Sequence, residues 1–157
     1  MDFEQISAVL PHRYPMLLVD QVSELEPGRR LEARKAVTAN EPWYEGSRES
    51  AYPAVLIIES WCQAAGVLIA HDEPNPSVLD GEVMLFGGMS GVEVHGDAEP
   101  GDVLTHRVEL LRDLGDAVLC GGDTTVEGRT ILTVDRIVMA MRPAAELTGR
   151  TDNEGAQ

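Results

Sequence analysis

Glu59 stands in the middle of an almost wholly apolar run, residues 53–70, with no basic residue within a helical turn on either side. Burial disfavours the charged form of a carboxylate, so an acid in this setting resists ionisation and suits proton transfer. The competing reading puts Glu59 at a subunit or helix boundary, where it reaches water. Four histidines and two cysteines are the other groups of interest. His71 falls at the predicted helix end, where a cation suits the dipole. His95 and His106 read as ordinary surface or strand positions. Cys62 and Cys120 have neither a CxxC partner nor His spacing for zinc, so both read as buried reduced thiols and no metal site is expected. No Gly-x-Ser-x-Gly elbow surrounds Ser47, which argues against a serine nucleophile there.

These groups need a framework. Residues 2–9 suit a short amphipathic helix ending near Pro11. Met16 to Leu25 reads as a strand, and Pro27-Gly28 as a turn. Leu31 to Thr38 alternates apolar and polar, as a second strand should. Residues 40–53 are irregular. A long helix then starts at Pro53 or Ala54, Pro being tolerated in a first turn, and ends around His71-Asp72, before Pro74-Asn75-Pro76. Glu82 to Met89, Val103 to Leu111, Ala117 to Val126 and Thr130 to Met141 read as four more strands, the last three joined by turns short enough for antiparallel hairpins. A helix apolar nearly all round must be enclosed, and a curved sheet wrapped around it gives an α+β layout. Residues 1–143 are expected to form one domain, and residues 144–157 a polar, disordered tail.

At 157 residues and 43% hydrophobic, the chain is long enough for one domain with a real core. A net charge of −15 argues against binding nucleic acid or an anionic membrane. The longest apolar run carries Glu59 and Gln63 and is too polar to span a bilayer. Met1-Asp2-Phe3-Glu4 opens acidic, with no signal-peptide character. A cytoplasmic, reducing location is the expectation.

Leu10-Pro11-His12-Arg13-Tyr14-Pro15-Met16-Leu17-Leu18-Val19-Asp20 resembles the N-terminal signature of the FabZ-type 3-hydroxyacyl-[acyl-carrier-protein] dehydratases. Asn40-Glu41-Pro42-Trp43-Tyr44-Glu45-Gly46 resembles the segment leading into that family's active-site loop, and residues 55–68 resemble its central helix. Phe86-Gly87-Gly88-Met89 and Glu99-Pro100-Gly101-Asp102 are similar to two later landmarks. The resemblance implies a hot-dog fold, a long helix wrapped by an antiparallel sheet, and a dimer with two sheets joined edge to edge. It also implies active sites at the dimer interface, each combining a loop His from one subunit with a helix carboxylate from the other. The substrates implied are β-hydroxyacyl thioesters on an acyl carrier protein, through its phosphopantetheine arm, and the reaction is loss of water. No cofactor is implied.

Glu59 matches the family's carboxylate, and Gln63 matches the Gln one turn later. Their i,i+4 spacing puts both on one face, so Gln63 can orient Glu59. Ala54 opens the helix where the family has Gly, and still offers a backbone N–H to a thioester oxygen. The loop departs from the pattern. The family reads Gly-His-Phe-Pro, whereas this chain reads Gly46-Ser47-Arg48-Glu49, with Ser47 at the His position. A hydroxyl without a nearby base does not replace imidazole at neutral pH. His12, inside the N-terminal signature, reads as structural. Tyr44 and Arg48 are expected to contact substrate or carrier. A basic patch drawn from Arg13, Arg34, Lys35 or Arg48 would suit an acidic carrier.

The favoured reading is a dehydratase subunit of fatty-acid or polyketide biosynthesis that works as a homodimer or heterodimer, supplying Glu59 to a site shared with a His-bearing partner chain. A hot-dog thioesterase using Glu59, and a non-catalytic protein that binds acyl chains or carrier, are the alternatives.

Overall fold

The computed structural model describes residues 1–46, 50–79 and 81–147. The first helix, α1, spans Phe3–Val9. A capping box fixes its start: Asp2 Oδ1 accepts from the Gln5 N–H at 3.0 Å, and Gln5 Oε1 accepts from the Asp2 N–H at 2.9 Å. Ile6 and Val9 turn its apolar side into the core.

Six antiparallel strands build one sheet: β1 Gln21–Glu26, β2 Arg30–Ala36, β3 Glu82–Val94, β4 Val103–Asp113, β5 Ala117–Val126 and β6 Arg129–Pro143. Their spatial order is β1-β2-β4-β5-β6-β3, which leaves β3 on an edge. Helix α2, Ala54–Ala70, lies against β2, β4 and β5. Trp61, Ala64, Ala65, Val67 and Leu68 form its buried side, facing Leu31, Leu104, Val108 and Cys120 from the sheet. Small residues at 64–66 let the helix sit low on the sheet, while Trp61 is tied down by its indole N–H donating to the Arg107 carbonyl at 3.0 Å. This is the expected long helix wrapped by an antiparallel sheet.

Three local expectations are corrected. The strand anticipated from Met16 begins only at Gln21, because the Leu18 N–H and the Met16 carbonyl are taken by the Gln63 side chain of α2, and the Met16 and Leu17 N–H groups by the Arg13 carbonyl, rather than by a neighbouring strand. β3 runs on past Met89 to Val94, its glycines masking the alternation while β6 pairs with it as far as Val94↔Leu132. The polar tail opens as a one-turn helix, α3, Ala144–Leu147, whose Ala144 is buried and donates its N–H to the Gly81 carbonyl at 2.9 Å. Residues 148–157 lie outside the described residues.

α2 is not fully enclosed by its own chain. Val55 is 68% exposed, and Phe86 and Met89 on the β3 edge are 44% and 36% exposed. Together with Ile58, Glu59 and Cys62 they line an open apolar groove between helix and edge strand.

Candidate active site

Glu59 occupies that open side of α2, with its side chain 34% exposed. Within a single chain Glu59 thus matches the competing reading, an acid that reaches water, because among the described residues no other element covers the helix face that carries it. Gln63, one turn on, is 1% exposed and makes three hydrogen bonds. Its Nε2 donates to Glu59 Oε1 at 2.9 Å and to the Met16 carbonyl at 2.7 Å, while its Oε1 accepts from the Leu18 N–H at 2.8 Å. The carboxamide thus pairs with an extended segment as a strand would, and holds the carboxylate with its remaining N–H. The contact expected between Gln63 and Glu59 is present, together with an anchoring of residues 16 and 18 that spacing along a helix does not reveal.

The same anchored segment brings His12 to the site. His12 Nε2 lies 3.4 Å from Glu59 Oε1. The turn carrying it is braced by Arg13, whose guanidinium donates to the carbonyls of Leu10 and His12 at 2.8 and 2.6 Å. Burial pushes His12 below the ordinary imidazole range, the Glu59 charge works against this, and Arg13 adds to it. His12 was read as structural from the signature alone, and its contact with the acid is the main functional feature that the sequence reading missed. The signal was weak: 47 residues separate the two, and no periodicity joins them.

The start of α2 carries Ala54 on the exposed side, and no side chain caps the helix end. The N–H groups of Leu56 and Ile57 donate to the Pro53 carbonyl at 2.9 and 3.2 Å, which leaves those of Ala54 and Val55 as the candidates for the oxyanion expectation. Tyr44 closes a short 3-10 turn, Pro42–Tyr44, and its hydroxyl donates to the Ser50 carbonyl at 3.3 Å. It thus braces both ends of the loop. Ser47 and Arg48 lie outside the described residues.

The loop's near end rests on a buried ion pair. Lys35 Nζ donates to Glu41 Oε1 at 2.9 Å and to the Ala36 carbonyl at 2.8 Å, and sits 5.6 Å from the centroid of the Tyr52 ring. Glu41 also accepts from the Thr38 N–H at 3.0 Å and the Trp43 indole at 2.7 Å. Burial pushes Glu41 up, but the Thr38 N–H, Lys35 and Trp43 outweigh it and hold the carboxyl below the usual range. Lys35 is thereby withdrawn from the expected basic patch, while Arg13 and Arg34 are exposed and Arg48 lies outside the described residues. Lys35 is only 6% exposed and committed to Glu41, Arg34 leans on Glu32 at 3.8 Å, and Arg13 is turned to backbone carbonyls.

His106 takes the strand setting of the two expected for it: it lies in β4, fully buried between α2 and the sheet. Ser60 Oγ lies 2.8 Å from its Nε2, and Thr124 Oγ1 lies 2.8 Å from its Nδ1. Burial, and then the Lys35 charge, push it down to about 3, so it is a neutral structural histidine. His71 and His95 match their expected settings, at the α2 end beside Asp72 and on the surface beside Thr133. Both cysteines are buried and free, with their thiols pushed up to about 12 by burial, Cys62 also by Glu59. Among the described residues, no helix is long and apolar enough to cross a membrane.

Comparison with known proteins agrees with this arrangement. Residues 10–135 match the FabA-like domain. The chain is 40% identical over 133 residues to the 3-hydroxyacyl-[acyl-carrier-protein] dehydratase FabZ of Thiobacillus denitrificans, covering 83% of this chain and 91% of the relative. It is 41% identical over 147 residues to that of Paracidovorax citrulli, covering 92% and 99%. Among solved structures, the dehydratase heterocomplex ApeI:P from Xenorhabdus doucetiae superposes with a TM-score of 0.76 at 20% identity, covering 91% of this chain and 94% of that one. A hot-dog-like protein from Thermanaerovibrio acidaminovorans gives 0.63 at 18% identity, over 85% and 96%. The fold is therefore the hot-dog fold.

Proposed function

We propose that this chain, which belongs to the FabA-like family, is a cytoplasmic β-hydroxyacyl-[acyl-carrier-protein] dehydratase subunit that supplies Glu59 to a site completed by a loop histidine of a related partner chain. The observation that carries this reading is the Glu59–Gln63 pair, held in place and open to an apolar groove beside an unpaired sheet edge. The names of the FabZ relatives supply the substrate class. The exposed β3 edge, with Phe86, Met89 and Val55 beside it, supports edge-to-edge pairing with a second hot-dog chain. The pairing named for the ApeI:P complex supports a heterodimer, and Ser47 at the family's His position gives the reason for one.

The chemistry needs two groups. A neutral imidazole takes the α-proton, the electron pair left behind forms the Cα–Cβ double bond, and the β-carbon–oxygen bond breaks. Glu59, as a carboxylic acid, gives its proton to the departing hydroxyl, which leaves as water. First-turn N–H groups around Ala54 receive the charge that develops on the thioester oxygen.

The test is dehydration of 3-hydroxyacyl groups on a carrier protein, followed as enoyl-thioester formation. The chain is assayed alone and after co-expression with a related chain that carries an intact Gly-His loop. Activity should need both chains and be lost in Glu59→Gln. Full activity from the single purified chain would remove the partner, and thiol release without dehydration would replace the reaction by thioester hydrolysis.

A further inference from the structure

The N-terminal signature does more than pack. The geometry points to His12 as a positioning residue for Glu59, sharing with Gln63 the task of fixing carboxylate oxygen Oε1 so that Oε2 is the one presented to substrate. This inference rests on the dehydratase reading for its catalytic consequence, but not for the pairing itself.

Four observations support it. Glu59 Oε1 takes the Gln63 N–H at 2.9 Å and faces His12 Nε2 at 3.4 Å, whereas Oε2 has no hydrogen-bond partner among the described residues. His12 is held from two sides, by Arg13 bracing its turn and by Gln63 clamping residues 16 and 18, so its approach to Glu59 is built into the backbone. Its Nδ1 is buried without a partner, so among the described residues the one polar contact of the ring is the carboxylate. Finally, His12 and Gln63 line a pocket that shares Phe86 with the groove containing Glu59, which places the pair at the junction of the two. A carboxylate gripped at one oxygen cannot swing about its last torsion, and its other oxygen meets the substrate hydroxyl in one orientation.

The charged and titratable groups around the pair are few. Arg13 is in the same turn, Cys62 is on the α2 face, and Glu73 and Glu82 line the rest of the His12 pocket. Of these, Glu59 is the anion closest to the ring. Its charge raises the ring's midpoint, against the lowering by burial and by Arg13.

Two measurements test the inference. In the purified chain, the His12 ring is titrated by NMR with and without Glu59→Gln, the four histidines being assigned by single His→Gln variants. The expected result is a drop of roughly half to one pH unit in the His12 midpoint, with His95 unmoved. A change below about 0.2 unit overturns the pairing whether or not the protein is a dehydratase. In the complex that shows dehydratase activity, His12→Leu should lower kcat roughly tenfold with KM within about twofold, and His12→Gln, which keeps a donor, should recover most of it. Equal kcat in wild type and His12→Leu, with both folded by thermal unfolding, overturns the positioning role. A complex without dehydratase activity refutes the proposed function instead and leaves the titration to decide the pairing.

Discussion

Replacing Gln63 by Met keeps the side-chain length and apolar volume while deleting all three hydrogen bonds of the carboxamide. The Leu18 N–H then loses its acceptor in a residue that is 2% exposed, and a buried orphan donor costs about 1–3 kcal/mol. The Met16 carbonyl belongs to a residue that is 39% exposed and can turn to water, so it adds little. The amide itself no longer has to be buried, which offsets part of the loss. The expected net cost is about 2 kcal/mol, a Tm lower by roughly 4–8 °C in a domain of this size. Urea unfolding gives the first number and a thermal scan the second. Amide hydrogen exchange gives the sharper readout. The Leu18 N–H has no ladder partner, so its protection in the wild type comes from Gln63, and in Gln63→Met it should exchange as fast as the neighbouring turn. Gln63→Glu is the companion variant. It keeps an acceptor for Leu18 but places a second carboxylate against Glu59, so it should be least stable at neutral pH and recover as the pair takes up a proton. A Leu18 amide still protected in Gln63→Met, or a stability change under about 0.5 kcal/mol, would show that the segment is held by packing alone and that the reasoning is wrong.

Three further outcomes are expected. Lys35→Met leaves Glu41 buried with only the Thr38 and Trp43 donors and should cost about 3 kcal/mol in urea unfolding, part of which returns in Lys35→Met/Glu41→Gln. His106 is held near 3 in the folded chain against about 6.5 unfolded, so the unfolded state binds the extra proton. Its contribution is therefore complete above pH 6.5 and declines as pH falls toward 3, by about 2–3 kcal/mol at pH 4.5, and denaturation midpoints across that window should fall less steeply in His106→Asn. At Gly122, where φ is +153°, an added Cβ would lie 2.0 Å from the Arg107 carbonyl oxygen of the neighbouring strand, so Gly122→Ala should separate β4 from β5 and yield little soluble protein, whereas Gly87→Ala, whose added Cβ meets nothing closer than 3.5 Å, should express normally.

Sequence patterning reveals features that repeat along one element. The ends of α2 were legible because Pro53 and the Pro74-Asn75-Pro76 segment punctuate a continuous apolar run, and the Glu59–Gln63 pairing was legible because i,i+4 spacing is a property of one helix. β5 matched its expected bounds because its flanking glycine turns are unambiguous. What escaped were contacts between elements distant in sequence. His12 meets Glu59 only after Gln63 has tied down residues 16–18. Lys35 was named only as a possible member of a basic patch, and only the folded chain shows the carboxylate and aromatic ring that enclose it. The burial of His106 within its strand was hidden for the converse reason: its partners Ser60 and Thr124 are small hydroxyl residues, common in any context, which converge on the ring only across the helix–sheet interface.

Lys35 is the only lysine in the sequence. Its burial therefore turns it into a built-in clock for one corner of the molecule. An amine-directed reagent can acylate this side chain only during moments when the contact with Glu41 opens and the turn that Glu41 holds, from Thr38 to Trp43, is released. Peptide mapping of the modified position against time would convert that opening into a rate and an equilibrium. Anything that steadies this turn would slow the clock. The chain's single side-chain amine thus offers a direct way to time the opening of this corner without introducing any label into the fold.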